Sequence, residues 1–307
     1  MDPLDLIVIG RAGMDLYPDP AGTGLAEAER MVADMGGSAA NIAVAAARAG
    51  ARVGIAAPVS DDGVGAFVAA RLARHGVEHL TPRPVGGGAR TSLALAEQKA
   101  AGQETVIYRN GAADLALTAA DLAPHLSRAR WVCATGTALA EEPSRTAVLE
   151  ALGGAEVGVL DLDYRPYSWR DPEDTRATYA RAAASARWIV GNDEEFAVTG
   201  LDPEAMAEAG HGIVYKRGAD GATLMIGKTR QEVPTFPVTA LKPFGAGDAF
   251  LGTGLAGLIA GAAPLDAFTR GAAAAAIVVT RTGCAGAMPA PDEIDRFMES
   301  RDASPAV

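Results

Sequence analysis

Within the C-terminal third, Phe244-Gly245-Ala246-Gly247-Asp248 runs directly into the apolar segment Ala249–Ala260. Three small residues let backbone N–H groups approach a negative ligand, and a helix starting there points its positive end at the same place. The pattern predicts an anion cradle built from Gly245, Ala246 and Gly247. Asp248 falls in the first helical turn, where a carboxylate either caps N–H groups or takes a proton from an attacking hydroxyl. A second Gly-rich turn, Gly36-Gly37-Ser38, precedes an expected helix over Ala39–Ala49, with Asn41 near its first turn. Paired glycines admit a polar molecule close to the backbone, and Asn41 brings both a donor and an acceptor, as sugar recognition needs. Helix capping is the other use for the same residues.

Further polar residues emerge where apolar runs end. Asp161-Leu162-Asp163-Tyr164-Arg165-Pro166 follows Val157–Leu160, and open α/β sheets bind ligands at the C-terminal ends of their strands. Arg165, and Arg109 at the end of a strand-like run, each offer a two-pronged fork for a carboxylate, or alternatively a surface ion pair. Asn192-Asp193-Glu194-Glu195 follows Trp188–Val190; its carboxylates could hold Mg²⁺ through water, or serve as a helix cap with an acidic first turn. Several common chemistries lack their motifs. There is no GxxxxGK[ST], no GxGxxG at Gly10-Arg11-Ala12-Gly13, no GxSxG, and the four histidines sit in ordinary contexts.

The elements that must position these residues follow a regular rhythm. Buried strands are expected at Asp5–Ile9, Val53–Val59, Arg130–Ala134, Val157–Leu160, Trp188–Val190 and Gly212–Tyr215. Helical segments at Ala39–Ala49, Val64–His75, Ser144–Leu152, Asp174–Ala184 and Pro203–Ala209 alternate with them, which predicts a mostly parallel sheet covered on both faces. Thr91–Ala96 and Glu104–Tyr108 break that rhythm as an antiparallel hairpin outside the main sheet. With residues 13–17 they form an expected flap, so residues 13–17 and 90–109 are lid elements of a single unit spanning 1–307. Two short strands, Thr223–Ile226 and Gln231–Val233, precede the second Gly-rich motif. Helices at Gly247–Ala260, Leu265–Thr280 and Pro291–Glu299 and a frayed tail at Arg301–Val307 complete the expectation.

Composition narrows the partners. A formal charge of −11 argues against a general nucleic-acid footprint, and the most apolar stretch, Arg270–Thr280, is too short for a membrane span. Two cysteines, Cys133 and Cys284, make neither a disulfide framework nor a metal-ligand cluster. The acidic N-terminus is unlike a signal peptide, and a cytoplasmic setting is expected.

Taken together, the two glycine motifs, in this order and separation, with the hairpin and Asn192/Glu195 between them, resemble the ribokinase-like, or PfkB-type, carbohydrate kinases over nearly the whole chain. The resemblance implies a three-layer α/β/α sandwich with a small β lid, often used for dimerisation, and ATP and Mg²⁺ as cofactors. The usual second signature reads DTGAGD, whereas this chain has Lys242-Pro243-Phe244 before Gly245. The monovalent-cation dependence of ribokinase is therefore not carried over. The Phe-Gly-Ala-Gly-Asp variant looks like that of the 5-dehydro-2-deoxygluconokinases, a branch that acts on a six-carbon keto-deoxy acid. Gly10–Tyr17, Tyr108-Arg109-Asn110 with Ala113-Asp114, and Arg281–Ala285 leading to Met288-Pro289 point the same way.

The resemblance implies that Asp248 serves as base, with Gly245, Ala246 and Gly247 stabilising the transferring phosphoryl group. It implies that Asp15, Gly36, Gly37 and Asn41 hold sugar hydroxyls, while Arg109, Asp163 and Arg165 face the acid end. Lys216, Gly218, Asn192, Ala274 and Val278 would meet the nucleotide, with Asn192 and Glu195 near Mg²⁺ through water. Related alternatives are a 2-keto-3-deoxygluconate kinase or a fructokinase. A catalytically silent sugar-binding protein is the reading from a different class.

Overall fold

The structure, a computed structural model, describes residues 2–302. In chain order the strands are β1 (Leu6–Ile9), β2 (Gly13–Pro18), β3 (Met31–Gly36), β4 (Val53–Ala56), β5 (Glu78–His79), β6 (Ser92–Ala96) and β7 (Thr105–Tyr108). They continue with β8 (Trp131–Thr135), β9 (Val157–Asp161), β10 (Trp188–Asn192), β11 (Gly212–Lys216), β12 (Ala222–Ile226) and β13 (Thr229–Val233). The α-helices are α1 (Ser38–Arg48), α2 (Gly63–Arg74), α3 (Ala119–Leu126), α4 (Ser144–Gly154), α5 (Pro172–Ser185), α6 (Asp193–Thr199), α7 (Pro203–Glu208), α8 (Ala246–Ile259), α9 (Pro264–Val279) and α10 (Pro291–Asp302).

The main sheet runs β13-β12-β11-β10-β9-β8-β1-β4-β5, parallel except for the antiparallel β11-β12-β13 edge. Its central strands are buried on both faces, which is why they read as continuous apolar runs. Side-chain alternation divides the interior in two. Leu6 and Val8 of β1 join a core with α1, α2, α8, α9 and α10, while Ile7 and Ile9 join one with α3 to α7. The expected α/β/α sandwich is thus present. β1 pairs with β4 on one side and β8 on the other, so the strand order reverses there and opens a crevice at the strand ends.

The lid is a second sheet, β3-β2-β6-β7, with β6 and β7 paired antiparallel from Leu93↔Tyr108 to Ala96↔Thr105. The expected hairpin and the participation of 13–17 are both found. β3 was absent from the sequence reading, because its Val32 and Met31 project partly outward and give no buried run. α3 was also missed; Pro124 lies inside it, and its start is fixed by a Thr118/Asp121 capping box. Residues 301 and 302 close α10 rather than fraying, and 303–307 lie outside the described residues.

Glycines bring the two Gly-rich motifs together. A Cβ at Gly252 of α8 would lie 2.4 Å from the Ile42 carbonyl oxygen of α1, and one at Gly271 of α9 equally close to that of Phe250. The three helices therefore meet at backbone distance, one turn below Asp248 and one residue beyond Asn41.

Candidate active site

Gly245 caps α8 with φ 77°, a left-handed conformation that suits glycine. No side chain caps this terminus, and Ala249 makes the first backbone bond, to Gly245 O at 2.9 Å. The early N–H groups of α8 therefore face outward as the expected cradle. Asp248 sits in this first turn, and Asn41 Nδ2 donates to its Oδ2 at 2.8 Å. The close α1–α8 packing makes this link. Asn41 Oδ1 is buried without a partner, an acceptor left for a hydroxyl donor.

Burial raises Asp248 to about 6, helped by the like charge of Asp163; Asn41, Arg165 and Lys216 oppose the rise. That value suits a base, because the carboxylate is ionised at neutral pH yet retains basicity. Burial also opposes charge on Lys216, but Asp161, Glu195, Asp163 and Asp248 outweigh it and hold its pKa above the ordinary lysine value. Its Nζ lies 3.4 Å from Asp161 Oδ1 and 3.8 Å from Glu195 Oε2, beside Gly247. Asp161 is pushed up by burial, against the pull of Lys216.

The opposite side of Asp248 is built from residues of both sheets and α1. Gly37 caps α1 at φ 98°, while Gly36 is needed for space, since a Cβ there would lie 2.0 Å from Asp15 Oδ2. Asp15 is buried and accepts from the Tyr17 hydroxyl at 2.9 Å. Asp163, at φ 30°, holds a backbone conformation uncommon for a non-glycine residue. It accepts from Ser38 Oγ at 2.5 Å and pairs with Arg165 at 2.7 Å. Both its oxygens are thus engaged by protein, so Asp163 orients Arg165 rather than offering itself to a ligand. Arg165 is half-exposed beside it.

Arg109 is tied down more tightly than its sequence context suggested. It is buried, forms an ion pair with Asp114, and donates to Ser168 Oγ and Thr137 O, both at 3.1 Å. Its Nε is buried without a partner.

A cleft of about 590 Å³ adjoins the cradle, lined by Lys216, Gly218 and Gly247 and by the apolar Phe236, Phe250 and Val279. One expectation is corrected here. Ala274 and Val278 point into the core with no exposed surface, and the α9 face toward the cleft carries Ala272, Ala275, Ala276 and Val279. The second half of α9 is apolar on every side and gives no period from which to choose its face. Asn192 and Glu195 form a capping box, with Asn192 N donating to Glu195 Oε2 at 2.8 Å and Glu195 N to Asn192 Oδ1 at 2.9 Å. One oxygen of each is therefore engaged in starting α6, which is the capping role, and Glu195 also faces Lys216. Among the described residues no group of three or more His, Cys, Asp or Glu side chains is arranged to hold a metal.

Sequence reasoning gave no role to Ser38, Asp114, Thr137 or Arg11. The last is a buried arginine that donates to Ser92 Oγ at 3.2 Å and leaves Nε unpartnered. The Gly10–Tyr17 stretch contained the signal, but a single arginine has no periodicity to expose it.

The profile of the pfkB family of carbohydrate kinases matches residues 4–291, and the chain belongs to that family. It is a carbohydrate kinase. It is 38% identical to the 5-dehydro-2-deoxygluconokinase of Photobacterium profundum, over 98% of this chain and 96% of that one. A fructokinase with bound ATP from Xylella fastidiosa shares the fold at TM-score 0.83 and 25% identity, covering 97% and 99% of the two chains. A fructokinase double mutant from Vibrio cholerae O395, in its fructose-, ADP- and potassium-ion-bound form, gives TM-score 0.82 and 26% identity over 97% and 99%.

Proposed function

We propose that this kinase transfers the γ-phosphoryl group of ATP to the C6 hydroxyl of 5-dehydro-2-deoxy-D-gluconate, giving the 6-phosphate and ADP. The observation that carries the reading is Arg165, a half-exposed guanidinium fixed by Asp163 within the electrostatic reach of Asp248. Asp163 engages one edge of that cation, and a sugar acid supplies an anion for its exposed face, which a neutral sugar does not. The identity to the Photobacterium kinase over nearly the full length supports the same substrate.

In this scheme Asp248 takes the hydroxyl proton as the oxygen–phosphorus bond forms and the bond to the ADP bridging oxygen breaks. The N–H groups of Ala246 and Gly247 offset charge on the transferring group. Asp15, Asn41 and the backbone at Gly36-Gly37 hold the sugar, with Arg109 supporting the acid end. The apolar cleft suits a purine, and Lys216 and Gly218 in its lining suit the phosphates. Mg²⁺ would be held chiefly by phosphates and water, with Glu195 and Asn192 nearby, and would neutralise phosphate charge.

The chain works as one kinase domain with its lid. Val32 and Tyr108, both more than half exposed on the lid strands, support a homodimer through that sheet. Consumption of ATP fits the cytoplasm, and the substrate fits inositol breakdown.

A coupled ADP-release assay should give a kcat/KM for 5-dehydro-2-deoxygluconate at least about tenfold above that for fructose, the discrimination expected of one satisfied charge, and above that for 2-keto-3-deoxygluconate, an acid of the same charge with its keto group elsewhere. Preference for fructose would overturn the assignment.

A further inference from the structure

Lys242 is a buried charged group that the phosphoryl-transfer scheme leaves without a task. Its side chain has no exposed surface, and its Nζ donates to the backbone carbonyls of Phe244 at 2.7 Å and Val278 at 3.3 Å. Backbone carbonyls are the groups that replace the hydration shell of a monovalent metal ion inside a protein. Here the Nζ occupies them. An ammonium paired directly with a carboxylate would be neutralised locally, whereas one held by carbonyls keeps its field. Cys284, Asp248, Asp34 and Asp15 act on it by Coulomb attraction, against burial, which lowers its pKa.

Its position gives that field a target. Phe244 immediately precedes the cradle, and Val278 lies in the last turn of α9. A Cβ at Gly245 would stand 3.3 Å from Val278 Cγ1 and 3.5 Å from Cys284 Sγ, so the cradle rests on the wall that Lys242 grips. We propose that Lys242 is a positioning residue, a built-in cation that locks the Phe244–Gly247 cradle to α9 and lets phosphoryl transfer run without a monovalent metal ion. The inference rests on the kinase reading but not on which sugar is the substrate.

The test is ADP release with the best sugar acid, in potassium chloride and in an organic-cation buffer of equal ionic strength. Wild-type kcat should agree within about twofold between them, since the cation is covalently supplied. Potassium activation beyond about tenfold would overturn the proposal, being too large for ionic strength acting on a buried site. Lys242→Met should lose about 10–100-fold in kcat with a smaller change in KM for ATP, as expected when cradle donors are misplaced. Lys242→Ala should recover part of its turnover on addition of potassium or ammonium ions, which a merely structural lysine would not allow. Full turnover by a folded Lys242→Met, or no recovery by a folded Lys242→Ala, would refute the role. Should both variants melt below the assay temperature, the wild-type comparison alone decides. Inactivity toward every sugar indicts the kinase reading instead, whereas potassium activation with any sugar indicts this one.

Discussion

Asp248→Asn is expected to lower kcat by about 10²–10⁴-fold, the range for removing a positioned base, while nucleotide affinity stays within about twofold. Asparagine keeps the acceptor for Asn41 Nδ2, so the α1–α8 link survives and only the proton acceptor is lost. The wild-type pH profile supplies a second check. With Asp248 raised to about 6, kcat/KM should fall as pH drops through that value, because the base is protonated below it. The same limb should vanish from the residual activity of the variant.

Stability should move the other way. A carboxyl raised on folding favours the folded state below its unfolded pKa, and this advantage is lost as pH climbs from about 4 to about 6. At neutral pH the folded protein therefore carries an ionised, poorly solvated group. Its removal should stabilise by roughly 1–2 kcal/mol, after allowing for water in the open cleft. A variant that is inactive and also less stable at pH 8 would show that Asp248 is structural.

Asp114→Ala should be the most destabilising single change at the site. Asp114 and Arg109 are both buried, and removing the carboxylate leaves a guanidinium without its charge partner, a loss of about 3–5 kcal/mol. In a chain of this size that corresponds to roughly 5–15 °C in melting temperature. Asp114→Asn, which keeps a hydrogen-bond acceptor but not the charge, should cost about 1 kcal/mol less. Thermal melts of the two variants would check this, and equal, small shifts would mean the pair is open to water.

The parts of the site written in local sequence were legible from it. Gly245, Gly247 and Asp248 lie in one helix start, and Gly36, Gly37 and Asn41 in another, so local spacing pointed to ligand cradles or caps, and the family resemblance assigned the roles. Parallel strands β1, β8 and β9 were equally plain, since burial on both faces leaves uninterrupted apolar runs. What failed depended on partners remote in the chain. Nothing near Arg109 says that Ser168 and Thr137 will occupy its fork, nor does anything near Asp163 announce Ser38. The inner face of α9 was misread for a different reason: alanine, isoleucine and valine fill every side of its second half, leaving contact with α8 to decide which way Val278 points. Asn192 and Glu195 had two uses with one sequence pattern, and geometry favours the cap.

Gly252 lies a full turn inside α8, where no ligand reaches, yet adding one methyl there would push α8 off α1 by the Ile42 carbonyl and separate Asn41 from Asp248. Such overpacking costs about 1–3 kcal/mol when the backbone can shift, and here the shift itself falls on the base. In a saturation-mutagenesis map of activity, position 252 should therefore score like a catalytic position while its variants remain soluble. Surveys that rank positions by distance from substrate would pass over it.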